Sequence, residues 1–129
     1  RIEHVAADGS VKVMKPDFNI QAGEVIDASF LSVRELRAFY EREITAAKND
    51  EILLSLHLKA TMMKVSDPVM FGHCVTVFFK DVFEKHAAAF KSLGVNPNNG
   101  LADALEKIQR LPEAQRSEIE NDIKATYEK

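Results

Sequence analysis

The chain has 129 residues, enough for one domain with a modest core. Apolar residues make up 46% and charged residues 29%, an ordinary globular balance, and a formal net charge of −3 provides no basic footprint for nucleic acid. No apolar run approaches the ~20 residues that span a bilayer, Arg1-Ile2-Glu3-His4 lacks the apolar stretch of a signal peptide, and the single cysteine, Cys74, excludes an internal disulfide and fits a reducing cytoplasm.

Ile2 to Val5 and Val11 to Met14 flank Asp8-Gly9-Ser10, which predicts a hairpin around a tight turn. Lys15-Pro16-Asp17 interrupts the second strand, and Phe18 to Ile20 is expected to extend it. Ser32 with Glu35 offers a capping box for a helix near 33–47. Its stripe is Val33, Leu36, Phe39, Tyr40, Ile44 and Ala47. Over 52–59, Leu54, Leu56 and Leu58 alternate with Ser55, His57 and Lys59, the period of a strand with one buried and one polar face. Ser66 or Asp67 can cap the next helix, with Pro68 in its first turn. Phe71, Val75, Phe78, Val82, Ala89 and Leu93 carry that helix over 68–93, and Gly94 caps it. Leu101, Leu105, Ile108 and Leu111 mark a helix near 101–110. Ile119, Ile123 and Tyr127 form the thin stripe of a last, charged helix near 113–127. Arg1 is not an initiator methionine and Lys129 ends a helical pattern without a stop signal, so the chain reads as a piece of a longer protein.

The chemistry concentrates at 55–67. A lysine projected from a rigid element can move a proton or hold an anion. Lys59 shares its predicted face with Ser55, His57 and Thr61; the bland alternative is an edge-strand lysine that discourages aggregation. Lys64 precedes a helix start whose N–H groups and dipole favour an anion, while the plainer reading of that start is Asp67 as its cap. His57 can orient a neighbour or bind a metal, and His73 lies one turn into the long helix. His4 and His86 have no partner in sequence, and no pair has metal-ligand spacing. Met62-Met63 and the phenylalanines read as packing. The five glycines form no phosphate-binding loop.

Leu56-His-Leu-Lys-Ala-Thr-Met-Met-Lys-Val-Ser-Asp-Pro-Val-Met-Phe-Gly-His73 closely resembles the monomeric type of NADP-dependent isocitrate dehydrogenase from bacteria. The flanks Val11 to Ile20 and Asn96 to Leu101 share the resemblance, which extends to most or all of the chain. It implies oxidative decarboxylation of isocitrate to 2-oxoglutarate, with NADP and Mg²⁺ or Mn²⁺ as cofactors of a parent enzyme and none expected on this piece. A lysine and a tyrosine share the acid–base work in that family. Dimeric relatives carry the lysine at the head of a Lys-x-[Asn/Thr]-x-[aliphatic]-Lys pattern. Lys59-Ala60-Thr61-Met62-Met63-Lys64 matches it, so the resemblance places the catalytic role on Lys59. Thr61 falls on the pattern's small polar position and Lys64 on its closing lysine, and both are candidate substrate contacts. No motif assigns the tyrosine role to Tyr40 or Tyr127, or a metal role to Asp67; metal ligands and the NADP site are expected elsewhere in the parent.

The resulting expectation is an α+β fragment of the large catalytic domain of a larger α/β enzyme. A small mixed sheet, with strands within 2–20 and 52–59, packs against about four helices. Isocitrate and the remainder of the parent chain are the expected partners, with no nucleic acid and no membrane. The rival readings are an anion-binding module without catalysis and a scaffold segment whose exposed faces drive self-association.

Overall fold

The computed structural model describes residues 1–27 and 30–129 and divides into two units, Arg1–Phe30 and Leu31–Lys129. It is mixed α and β, and helix-rich.

The first unit is a hairpin of β1 (Ile2–Val5) and β2 (Val11–Lys15). Val5 faces Val11 and Glu3 faces Val13, with an irregularity between Ile2 and Glu3. The Asp8-Gly9-Ser10 turn forms as its residues dictate. Gly9 takes a φ of 81°, where a side chain would be strained. The Asp8 carboxylate accepts from the Ser10 N–H at 2.9 Å and from its hydroxyl at 2.7 Å, which holds the Asp8 carboxyl below its usual range. The expected extension through Phe18–Ile20 is absent: β2 stops at Lys15, before Pro16, which has no N–H to give a ladder.

The second unit is helical. α1 (Val33–Asn49) begins at Ser32, whose hydroxyl accepts the Glu35 N–H at 3.4 Å. Only this half of the expected capping box is seen, because the Glu35 carboxylate pairs with Arg34 at 2.8 Å. The predicted helix over 68–93 is three helices: α2 (Ser66–Phe78), α3 (Lys80–Lys85) and α4 (Ala87–Leu93). The breaks fall at Phe79 and His86, neither a proline nor a glycine. Phe79 is buried in the core and the His86 imidazole is held by Asp122 at 2.6 Å. These tertiary anchors outweigh local helical preference. Hydrogen bonds of helical spacing still run across both breaks, from the Phe79 N–H to the Val75 carbonyl and from the His86 N–H to the Val82 carbonyl. Gly94 ends α4 in the left-handed conformation, at φ 65°.

A 3-10 turn at Pro97–Asn99 leads into α5 (Leu101–Ile108), and α6 (Glu113–Glu128) follows. Asp103 organises this corner. Its carboxylate accepts from the Asn96 N–H at 2.8 Å, the Asn99 amide at 3.2 Å and the Lys107 ammonium at 2.8 Å, and its pKa falls to about 2. The Lys107 ammonium also donates to the Gly94 carbonyl at 2.6 Å, tying the end of α4 to α5. Val75, Phe79, Val82, Phe90, Ala104, Ile108, Ile119 and Ile123 form one core contributed by α2, the α2–α3 break and α3 through α6. α1 joins α2 through the Arg37 guanidinium, which donates to the Thr76 hydroxyl at 2.7 Å.

The strand expected over 52–59 is not a strand. Among the described residues β1 and β2 pair only with each other, and 52–59 has no ladder partner. Backbone alternation needs such a partner to become a sheet. The alternating leucines are used differently: Leu54 and Leu56 line an apolar groove of about 710 Å³ with Ile44, Val77, Phe78 and Tyr127. The sheet is therefore a two-stranded antiparallel hairpin rather than a mixed sheet.

Candidate active-site turn

The segment after 52–59 folds into a compact turn before α2. The Lys59 carbonyl accepts the N–H groups of Met62 and Met63, both at 2.8 Å. Its own N–H donates to Asp67 Oδ2 at 2.7 Å, across eight residues. Both main-chain hydrogen-bonding groups of Lys59 are thus tied, while its side chain is exposed. Asp67 is 9% exposed, and its other carboxylate oxygen accepts the Ser66 hydroxyl at 3.1 Å.

This corrects two expectations. The rigidity under Lys59 comes from a hydrogen-bonded turn, not from a strand. Asp67 is not a cap of its own helix: Val65 precedes α2 with no side-chain cap, and the Asp67 carboxylate turns back to Lys59 instead. Pro68 lies in the first turn of α2, where its missing N–H leaves no helical bond unmade.

Lys59, Thr61 and Lys64 all lie exposed on this turn, and their side chains share no hydrogen bond among the described residues. Neither ammonium is in an ion pair there, whereas Lys80, Lys85, Lys107 and Lys129 all are. Ser55 Oγ and His57 Nε2 share a hydrogen bond of 2.8 Å, so the two-residue spacing does place them on one side. His73 makes no side-chain hydrogen bond to the turn among the described residues. Tyr40 is buried in α1, and Tyr127 packs at 5.3 Å from the Phe79 ring.

Asp67 is the buried carboxylate beside Lys59, and both its oxygens are already engaged. Among the described residues the one convergent set of metal-type donors is His86, Glu118 and Asp122, within 4.8 Å of one another. Sequence reasoning missed it because His86 and Asp122 are 36 residues apart. The Lys85 ammonium bridges Glu118 at 2.9 Å and Asp122 at 2.8 Å, so this cluster already carries its own cation. The same contacts raise the Lys85 pKa and, through Lys85 and then His86, lower that of Asp122.

A family model described as monomeric isocitrate dehydrogenase matches residues 1–129. The chain is 57% identical over 126 residues to Isocitrate dehydrogenase (NADP) 2 of Colwellia maris, a match covering 98% of this chain and 17% of that one. It is 52% identical over 127 residues to Isocitrate dehydrogenase (NADP) of Azotobacter vinelandii, again 98% of this chain and 17% of that one. With Isocitrate dehydrogenase (NADP) 2 of Mycobacterium tuberculosis it shares 47% identity over 128 residues, 99% of this chain and 17% of the relative.

Proposed function

Because the chain belongs to the monomeric isocitrate dehydrogenase family, we propose that it is part of the large catalytic domain of an enzyme that oxidises isocitrate with NADP, and that it supplies the acid–base lysine, Lys59. The products are 2-oxoglutarate and carbon dioxide. Lys59 accepts the proton of the substrate's C2 hydroxyl; NADP, held by the rest of the parent, would supply the hydride acceptor. Thr61 and Lys64, on the same turn, contact the substrate's anionic groups. The parent works in the cytoplasm.

One observation carries this reading: Lys59 is exposed and outside any ion pair among the described residues, while both its main-chain groups are tied. A proton-transfer group needs that combination, a fixed origin and an uncommitted head. The donors for Mg²⁺ or Mn²⁺, the acid–base tyrosine and the NADP site belong to the rest of the parent. The 129 residues alone are accordingly expected to be inactive.

The test is NADPH formation from isocitrate by the full-length parent with Mg²⁺, with and without Lys59→Met. Loss of about 10²–10⁴-fold in kcat, with folding and isocitrate binding retained, is the expected result for removing a general acid–base group. A parent with no such activity would overturn the reaction, and an undiminished Lys59→Met rate would remove the role from Lys59.

A further inference from the structure

We propose that Asp67 is a positioning residue for Lys59, an inference that rests on the role given to Lys59 above. The bond from the Lys59 N–H to Asp67 Oδ2, at 2.7 Å, is charge-assisted and shielded, since Asp67 is 9% exposed. Oδ1 takes the Ser66 hydroxyl at 3.1 Å, so both carboxylate oxygens are engaged.

An aspartate in the first turn of a helix has an ordinary use, which is to face the N–H groups of that helix and its dipole. Asp67 occupies such a position in α2, yet its carboxylate reaches out of the helix to the backbone of Lys59. It thereby closes the loop between them and joins Lys59 to α2, whose Val75 sits in the hydrophobic core. The Met62 and Met63 N–H groups fix the Lys59 carbonyl from the other side. Without the Asp67 bond the Lys59 N–H loses its tether, the Cα of Lys59 gains freedom, and the ammonium at the end of a four-carbon stem loses its origin. Misplacement by about 1 Å can lower a rate by about 10²-fold.

The experiment uses the full-length parent and compares Asp67→Ala, Asp67→Asn and Asp67→Glu, each alone, and Asp67→Ala combined with Lys59→Met. Asp67→Ala is expected to lower kcat by about 10–100-fold while leaving KM for NADP unchanged. Asp67→Asn, which keeps an oxygen acceptor for the Lys59 N–H, restores most of that rate. Asp67→Glu keeps a negative charge in the first turn of α2 but displaces the acceptor, and it also lowers kcat; it serves as the deciding variant if Asp67→Ala does not fold. In the Lys59→Met background the Asp67→Ala loss disappears, because it acts through Lys59. A wild-type kcat in Asp67→Glu, or the same loss with and without Lys59, would overturn the positioning role while leaving Lys59 in place. An undiminished rate in Lys59→Met alone would instead overturn the underlying assignment.

Discussion

Tyr40 is 4% exposed, and its hydroxyl finds no hydrogen-bond partner among the described residues. Burial raises its pKa, with a smaller contribution from Cys74. A buried hydroxyl without a partner carries a desolvation penalty that no bond offsets. Tyr40→Phe in the full-length parent should therefore be neutral or stabilising, by up to about 1 kcal/mol, read from the midpoint of urea unfolding. A loss of stability of similar size would mean that the hydroxyl has a partner in the parent. The tyrosine's packed state was legible from its place in an apolar stripe; the orphaned hydroxyl was not, since it depends on what surrounds the ring. The same contrast holds elsewhere. Lys59 stood out through the contiguous run Lys59-Ala60-Thr61-Met62-Met63-Lys64, which is read directly from the sequence. The tie from Asp67 was hidden, because its sequence position is equally that of an ordinary helix cap.

α2 shows what an element contributes beyond its residues. Its N-terminal turn holds Lys59 through Asp67, and its Gly72 lies against the Asn96-Pro97-Asn98 turn. A Cβ on Gly72 would meet the Asn98 side chain and come within 2.9 Å of the Asn98 backbone nitrogen, closer than such contacts allow. Gly72→Ala should push α2 off that turn and destabilise the parent by about 1–3 kcal/mol, the usual range for overpacking, measured as a fall in the unfolding midpoint. No change would show that α2 and the turn do not pack this closely. At this scale the helices were legible from 3.6-residue periodicity and the Gly94 stop, with ends shifted by up to two residues, as at Ser66 and Asn49, apart from the breaks at Phe79 and His86. Those depend on a core contact and on a bond to α6. The apparent strand over 52–59 was misread because a packed extended segment and a sheet strand alternate alike. Only a ladder partner separates them, and sequence does not reveal one.

Across the whole molecule, apolar surface is the dominant unexplained feature of the chain taken alone. Leu53, Phe30, Val25 and Val65 are largely exposed, and an apolar groove runs beside α1 and α2. The chain spans 17% of the length of the curated relatives it matches, and surfaces of this kind are normally covered by neighbouring structure. None of the helices is long and apolar enough to cross a membrane among the described residues. In the proposed function, this piece presents a proton-transfer lysine to a site completed by the parent. Chemical rescue tests it most directly: NADPH formation from isocitrate by full-length Lys59→Ala, titrated with small primary amines. A rate lowered by about 10²–10⁴-fold and then partly restored in proportion to free amine is the predicted result. A Lys59→Ala rate equal to that of the wild type, or a lost rate that no amine restores while isocitrate still binds, would contradict it.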